Sequence, residues 1–166
     1  EHLHAKHRNA ISQAQRAGLS FYIDSEWKYL EVFGSLYEST MNRIDADEFY
    51  YFHKAYFEDM KQLSPQAFLG VVLKDNRCIA AAIFLHSGIY GHYHLSASDS
   101  TKQILRPNNF MIYEAALYLK KQGAHWFHLG GAPNSVHGSS LFQFKSRFTK
   151  LRRDFFIGKA VLNRPL

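Results

Sequence analysis

The chain has little of what disulfide-stabilised or membrane-spanning proteins need. Cys78 is its only cysteine in 166 residues, so no disulfide forms within the chain and a reducing, cytoplasmic compartment is expected. The longest apolar run, residues 78–85, is too short to cross a bilayer, and no signal-peptide pattern opens the sequence. Internal repeats and low-complexity tracts are also missing, which favours one continuous domain.

Several common enzyme motifs are missing too. Gly131 and Gly138 are seven residues apart and no lysine follows the second, so the phosphate-binding P-loop is excluded. No GxSxG elbow is present, although His137 beside Ser139 or Ser140 leaves a serine nucleophile as an alternative. The ten histidines show neither HExxH nor a Cys/His pairing, so no metal site is predicted. His92 and His94 would share one face of a strand and are interpreted as hydrogen-bonded strand histidines.

The composition that is present describes a folded, basic domain. Hydrophobic residues make up 46% and aromatic residues 16%, which excludes disorder. A net charge of +6 favours an anionic partner such as a phosphate-bearing cofactor, RNA or anionic lipid, and ordinary solubility charge is the alternative. Because the chain starts at Glu1 rather than Met, we expect a fragment of a longer protein or a trimmed chain, and a missing N-terminal domain is one arrangement left open. A homodimer is the other partner arrangement left open.

The first half of the chain predicts a helix, a strand and two further helices. Residues 4–17 form a polar helix stopped by Gly18, and residues 19–23 form a strand. Asp24 or Ser25 is predicted to cap a second helix, and Asp45 with Glu48 to open a third through a capping box. The inward faces of these two helices follow helical spacing: Leu30, Phe33, Tyr37 and Met41, then Phe49, Phe52, Tyr56 and Met60, with Pro65 closing the section.

The second half turns to strands. Residues 67–73 and 78–85 flank a hairpin turn at 74–77, and residues 89–97 form a third strand. Asn108 or Asn109 is predicted to cap a helix ending at Gln122, with Ile112, Ala116 and Leu119 on one face and Gly123 as its stop. A strand at 125–129, a helix carrying Lys145 and a last strand within 155–161 complete the order. Three consecutive strands predict a mixed α/β sheet with helices on both faces.

The segment 125–148 carries the most chemistry. An apolar strand ends at Gly130-Gly131, and Gly138, Ser139 and Ser140 precede a helix whose free N–H groups suit an anion or an oxyanion. A plain helix cap is the alternative for the serines. Lys145 lies among aromatic residues, so it either faces a phosphate or oxyanion, or covers an aromatic surface with its stem. The basic run from Lys145 to Arg153 suits nucleic acid or is a solvated face.

These motifs resemble the GNAT-like domain of the Fem-type (FemABX) peptidoglycan aminoacyltransferases and their acyltransferase relatives. The N-terminal helix 6–18 is similar to that family's basic helix before a short strand. The other residues that carry the resemblance span the chain: Leu36-Tyr37 with Thr40, Tyr113-Glu114-Ala115-Ala116 with Gly123, Phe127-His128-Leu129-Gly130-Gly131, and Gly138 to Lys145.

The resemblance implies a GNAT-like, mostly antiparallel sheet and transfer of an aminoacyl or acyl group to an amine. Aminoacyl-tRNA or acyl-CoA would be the donor, with no tightly bound cofactor. A cell-wall precursor or sugar-linked molecule would be the acceptor. Lys145 would stabilise the transfer charge. Phe144 would shape the acyl pocket, and Tyr93, Ser96 and Tyr113 would contact the acceptor.

Two positions depart from that family. His128 stands where an acid commonly precedes the Gly-Gly pair, so it is the candidate base or a packing residue. The glycines of the usual acyl-CoA pyrophosphate loop are missing from 103–109, where Arg106 and the helix N–H groups at Asn108 remain to hold a phosphate. An acetyl-CoA-dependent N-acetyltransferase and a non-catalytic module that binds RNA or protein therefore remain as alternatives.

Overall fold

The computed structural model describes residues 3–131 and 139–153 as one sheet with helices on both faces. None of the helices in this part of the chain is long and apolar enough to span a membrane. Short 3₁₀ helices cover Glu48–Tyr50 and Ser100–Leu105. The helices are α1 (Ala5–Arg16), α2 (Leu30–Arg43), α3 (Lys54–Gln62), α4 (Pro107–Lys121) and α5 (Ser140–Ser146), and the strands are β1 (Ser20–Asp24), β2 (Ala67–Lys74), β3 (Arg77–Ser87), β4 (Tyr90–Ser98) and β5 (Trp126–His128).

The five strands lie in chain order, β1-β2-β3-β4-β5. The first four are antiparallel, whereas β5 runs parallel to β4 after the crossover through α4. This arrangement confirms the predicted mixed, mostly antiparallel sheet flanked by helices.

Each face of the sheet carries its own apolar core. On one face, α1, α4 and α5 cover Phe68, Val72 and Phe84. On the other face, α2 and α3 cover Leu69, Val71 and Ile83. Neighbouring positions of β2 and β3 point to opposite cores because successive side chains of a strand alternate between its faces. The sheet is therefore buried on both sides along β2 and β3.

The hairpin between β2 and β3 forms where the sequence predicts it. Asp75 and Asn76 both take positive φ, 50° and 60°, which is the geometry of a two-residue type I′ turn. The pattern of α2 is also confirmed, since Leu30, Phe33, Tyr37 and Met41 are all buried.

Two predicted helix starts are wrong. Helix α2 begins at Leu30, and its N-cap residue, Tyr29, makes no side-chain capping bond. Asp24 lies five residues before Tyr29 and accepts from the Tyr29 N–H at 2.8 Å. Helix α4 begins at Pro107, with Arg106 in the left-handed region as its cap. Proline fits the first helical position because its missing N–H would be unpaired there. Asn108 therefore lies inside the first turn rather than capping it.

The predicted capping box at Asp45 is also wrong. Asp45 has a φ of 49° just after the end of α2, and α3 begins only at Lys54. Phe49, predicted to be inward, is 74% exposed, whereas Phe57 is the buried aromatic of α3 at 5%. Apolar spacing alone misplaced this helix because four aromatic residues in succession, 49–52, offer more than one register.

Gly138 and the last predicted strand, within 155–161, lie outside the described residues.

Candidate functional site

The sheet opens at the point where β4 and β5 part. The parallel pairing covers only Tyr90–His92 against Trp126–His128, while β4 continues to Ser98. On the other edge of β4, Ile83 pairs with Leu95 and Phe84 with Tyr93, so His94 is the extra residue of a β-bulge. A bulge bends its strand and turns side chains away from the regular pleat. We call the gap left where β4 runs on past the end of β5, beside the glycine exit, the cleft.

Lys145 projects from α5 to the edge of this cleft. Its ammonium donates to the carbonyl of Gly131 at 2.7 Å and lies 5.9 Å from the centre of the Tyr93 ring. Burial lowers the pKa of Lys145 to about 8. The amine is therefore mostly protonated at neutral pH and would lose its charge just above it.

Gly130 makes room for this lysine. Its φ is +74°, and a Cβ at this position would lie 3.2 Å from the Lys145 Nζ. Glycine is favoured here because the left-handed backbone strains any other residue and a Cβ would displace the close amine. The Gly-Gly exit predicted from the sequence and the lysine predicted from the sequence thus meet in space.

Tyr93 and Ser96 lie beneath the lysine rather than in the open cleft. Tyr93 is only 7% exposed, and its hydroxyl donates to the Ser96 Oγ at 2.5 Å. Burial raises the pKa of Tyr93 to about 12, so the hydroxyl stays protonated. In this placement the Tyr93 ring lies under the lysine amine, and the Tyr93 hydroxyl is hydrogen-bonded to Ser96.

A pair of histidines joins β4 to β5 at the mouth of the cleft. The Nδ1 atoms of His92 and His128 are 3.0 Å apart, and their rings stack at 5.0 Å. The Gly130 N–H donates to the same Nδ1 of His128 at 3.3 Å. Burial lowers the pKa of both rings, that of His92 to about 4 with further contributions from His128, His94 and Lys145. Both rings are therefore neutral at pH 7.

The bulged His94 extends this cluster toward α3. Its Nε2 lies 2.6 Å from the Tyr56 hydroxyl, and its ring centre lies 5.9 Å from that of His92. The prediction that both are hydrogen-bonded strand histidines is confirmed, because His94 bonds to Tyr56 and His92 bonds to His128. Among residues 3–131 and 139–153, no group of three His, Cys, Asp or Glu side chains could hold a metal ion.

His7 anchors the lysine helix, and the sequence reasoning missed it. This α1 residue is 3% exposed; its Nε2 lies 2.9 Å from the Phe144 carbonyl and its Nδ1 lies 3.1 Å from the Asn109 amide. Its ring also packs on Phe148 at 4.2 Å. The available signal was spacing, because His7 shares the buried face of α1 with Ile11 and Ala14.

A basic cavity of about 390 Å³ lies between α1, the start of α4 and α5. Lys6, Arg106 and Arg147 bring three positive side chains to its wall, and none of the described residues that line it is acidic. Phe144, the residue before Lys145, forms part of the same wall. The helix N-terminus at Asn108 and Asn109 adds a partial positive charge. A phosphate group would be favoured here.

Other residues predicted to bind donor or acceptor make contacts within the protein instead. Asn108 donates from its amide to Ser98 at 3.1 Å, and its buried Oδ1 has no partner in the described residues. Ser139 caps α5 by accepting from the Phe142 N–H at 3.1 Å, as its alternative reading expected, and Ser140 is the first residue of that helix. Tyr113 packs partly buried against the core of α1 and α4.

A second cavity, of about 610 Å³, lies on the other face of the sheet between α2 and α3. Glu31 and Glu38 line it together with Tyr51 and Phe52, and Lys54 pairs with Glu31 at 3.0 Å. Phe52 stacks on Tyr56 at 4.3 Å, which places this cavity one aromatic layer from the histidine cluster.

A profile of the acetyltransferase (GNAT) domain matches residues 3–146. The chain belongs to this GNAT family. The match covers every described helix and strand, including α5 with Lys145. A search of curated proteins found no match.

Solved structures share the GNAT fold at low identity. FemX matches with a TM-score of 0.75 and 16% identity over 88% of this chain and 54% of that chain, so the chain spans about half the length of FemX. The C-terminal domain of a lysylphosphatidylglycerol synthetase from Agrobacterium fabrum, described as putative, matches with a TM-score of 0.64 and 20% identity over 87% of this chain and 50% of that chain. An aminoglycoside acetyltransferase from an uncultured soil metagenomic sample, crystallised with sisomicin, matches with a TM-score of 0.62 and 10% identity over 87% of this chain and 97% of that chain.

Proposed function

We propose that this GNAT domain transfers an acyl or aminoacyl group from a phosphate-bearing donor to an amine of a cell-envelope or sugar-linked acceptor. The observation that carries the proposal is the half-buried Lys145 ammonium at the cleft between β4 and β5, one residue from the wall of a basic cavity. Aminolysis of an ester or thioester forms an oxyanion, and a fixed cation beside it lowers the barrier.

The donor's phosphates are assigned to the basic cavity. Lys6, Arg106 and Arg147 supply its charge, and the start of α4 supplies N–H groups. The acyl carbon would then lie across α5, where Phe144 lines the cavity and Lys145 points to the cleft. Phosphate binding and transition-state stabilisation would thus involve two neighbouring faces of one short helix.

Aminoacyl-tRNA is the donor we favour. The 103–109 segment lacks the glycines of the usual acyl-CoA pyrophosphate loop, and α1 adds Lys6 to the cavity wall. The similarity to FemX, with a TM-score of 0.75, supports a shared fold but does not by itself favour either donor. Acyl-CoA is the second candidate because the free N–H groups at the start of α4 also suit a pyrophosphate.

The experiment measures donor binding and transfer together. Purified protein is titrated with aminoacyl-tRNA, deacylated tRNA and acetyl-CoA, and transfer of labelled aminoacyl or acetyl group to amine-bearing muropeptide and aminoglycoside acceptors is followed. We expect aminoacyl-tRNA to bind, to lose affinity as salt rises, and to donate its aminoacyl group. Transfer from acetyl-CoA alone would assign the second candidate, and salt-sensitive RNA binding without transfer from either donor would support a non-catalytic binding module.

Arg106→Ala provides the residue-level test of the donor site. It should weaken donor binding by about 10- to 100-fold, since one charge-assisted phosphate contact is worth roughly 1.5–3 kcal/mol. Lys121→Ala is the matched control: it removes the same charge from the last residue of α4, about 20 Å from Arg106 along the helix axis. Equal effects of the two variants would mean that net charge alone governs donor binding.

A further inference from the structure

The hydrogen bonds around His128 fix which nitrogen of each ring in the histidine pair carries a proton. The Gly130 N–H donates to the Nδ1 of His128, so that atom holds a lone pair. The 3.0 Å contact between the two Nδ1 atoms then requires the hydrogen to be on the Nδ1 of His92. A neutral His92 that is protonated at Nδ1 has its lone pair at Nε2.

This tautomer reverses the roles that the sequence suggests. The Nδ1 lone pair of His128 already receives two donors, from Gly130 and from His92. His92 keeps an acceptor nitrogen, while its Nδ1–H is held by a neutral partner that tolerates a positive ring. The arrangement follows the logic of a catalytic triad, in which a third group orients the base and stabilises its charged form.

The surroundings of His92 keep its ring neutral before the reaction. The groups that face it are His128 on β5, His94 on the same strand and Lys145 on α5, and His94 in turn contacts Tyr56 on α3. Burial and these neighbours keep the His92 pKa well below neutrality, so the ring carries only its Nδ1 proton and its Nε2 lone pair is available before the reaction. Burial lowers the pKa of His128 and the Lys145 charge lowers it further, so both rings lie within the field of the lysine proposed to stabilise the oxyanion.

We propose that His92 is the proton acceptor for the transfer reaction and that His128 is the residue that positions it. The inference rests on the proposed function. The acceptor amine attacks the acyl carbon, a C–N bond forms, and the carbonyl electron pair moves to oxygen beside Lys145. The proton on the new ammonium passes to the Nε2 of His92. When the C–O or C–S bond breaks, that proton goes to the leaving oxygen or sulfur, and His92 returns to its neutral form.

The first arm of the test observes the tautomers directly. Long-range ¹H–¹⁵N NMR of the unmutated protein distinguishes a protonated from an unprotonated ring nitrogen. We expect His92 protonated at Nδ1 and His128 protonated at Nε2 at pH 7. A proton on the Nδ1 of His128 would overturn the assignment, whatever the activity of any variant.

The second arm compares single-turnover rates at saturating donor. His92→Gln should lower the rate by about 100-fold with donor affinity unchanged, the usual contribution of a general base. His86→Gln is the matched control on β3, outside the histidine cluster, and should change the rate less than twofold. A His92→Gln variant with the wild-type rate would overturn the proposal, whereas a wild-type protein inactive with every donor would overturn the proposed function itself.

The positioning role of His128 has its own readout. His128→Asn keeps an acceptor oxygen near the position of Nδ1, and His128→Leu removes it. We expect the leucine variant to lose the Nδ1–H tautomer of His92 along with at least tenfold in rate, and the asparagine variant to recover both. Retention of the His92 tautomer and the rate in His128→Leu would contradict the positioning role.

Discussion

Replacing Gly130 with alanine tests whether the glycine exit of β5 positions Lys145 for its proposed role. The residue has a φ of +74°, and an added Cβ would lie 3.2 Å from the Lys145 Nζ and 3.7 Å from the Tyr93 carbonyl oxygen. Two separable effects follow. The left-handed backbone costs an alanine about 1–2 kcal/mol, and the tight contact moves the amine by a few tenths of an ångström.

The two effects should be seen in different assays. The free energy of unfolding, measured by urea titration, should fall by about 1–2 kcal/mol. The lysine amine lies at the end of a flexible side chain, so its displacement adds little to that loss. Turnover should fall by about tenfold, because displacement of a catalytic group by 1 Å can cost about 100-fold.

Gly131→Ala is the matched control. A Cβ on Gly131 meets nothing within 4 Å, and its φ lies outside the left-handed region. We therefore expect changes below about 0.5 kcal/mol in stability and below twofold in turnover. The reasoning would be refuted if both alanine variants behaved alike, or if Gly130→Ala retained wild-type turnover.

Three further variants test other parts of the structure. His7→Ala should lower the unfolding free energy at pH 7 by about 2–4 kcal/mol, because it removes both hydrogen bonds and the packing on Phe148. Burial lowers the His7 pKa, so its contribution is full above the unfolded value near 6.5, and the difference from wild type in urea titrations should shrink as pH falls toward 5. Gly91→Ala should lower the unfolding free energy by about 1–3 kcal/mol, since its Cβ would lie 2.7 Å from Leu119. In a double-mutant cycle, Gly91→Ala should cost less in a Leu119→Ala background than in the wild type. Lys145→Arg should keep its charge above pH 8, so the ratio of wild-type to variant turnover should fall as pH rises through about 8, and a flat ratio would contradict the assigned charge state.

The sequence predicted the sheet well because its signals are local. Asp75 and Asn76 suit the positive φ angles of a two-residue turn, and the apolar runs on either side pair directly across it. The glycine exit and Lys145 were also predicted, although their meeting depends on how α5 returns to the end of β5.

The errors occur where tertiary contacts override local preference. Asp24 was expected to cap α2 directly, but the chain makes a turn through Trp27, whose φ is 59°, before the helix begins. Asp24 accepts from the N–H of Tyr29, the residue before the helix, instead of from the first-turn N–H groups that a cap would bind. Pro107 determined the start of α4 because proline suits the first helical position.

The roles of the histidines could not be read from sequence. His128 was the candidate base because it precedes the Gly-Gly pair, and His92 was interpreted as a strand histidine. Their contact depends on the parallel register of β4 and β5, and the position of His94 depends on a bulge opposite Ile83 and Phe84. Neither register nor bulge leaves a signal in residue spacing.

The central claim is that Lys145 stabilises the oxyanion formed during acyl transfer, and Lys145→Ala tests it most directly. Single-turnover transfer and donor affinity are measured on the same preparation at pH 7, with folding checked by urea titration. The account predicts a rate lower by about 100- to 1,000-fold, with the donor dissociation constant changed by less than about threefold. An unchanged rate, or a loss confined to donor affinity, would contradict it.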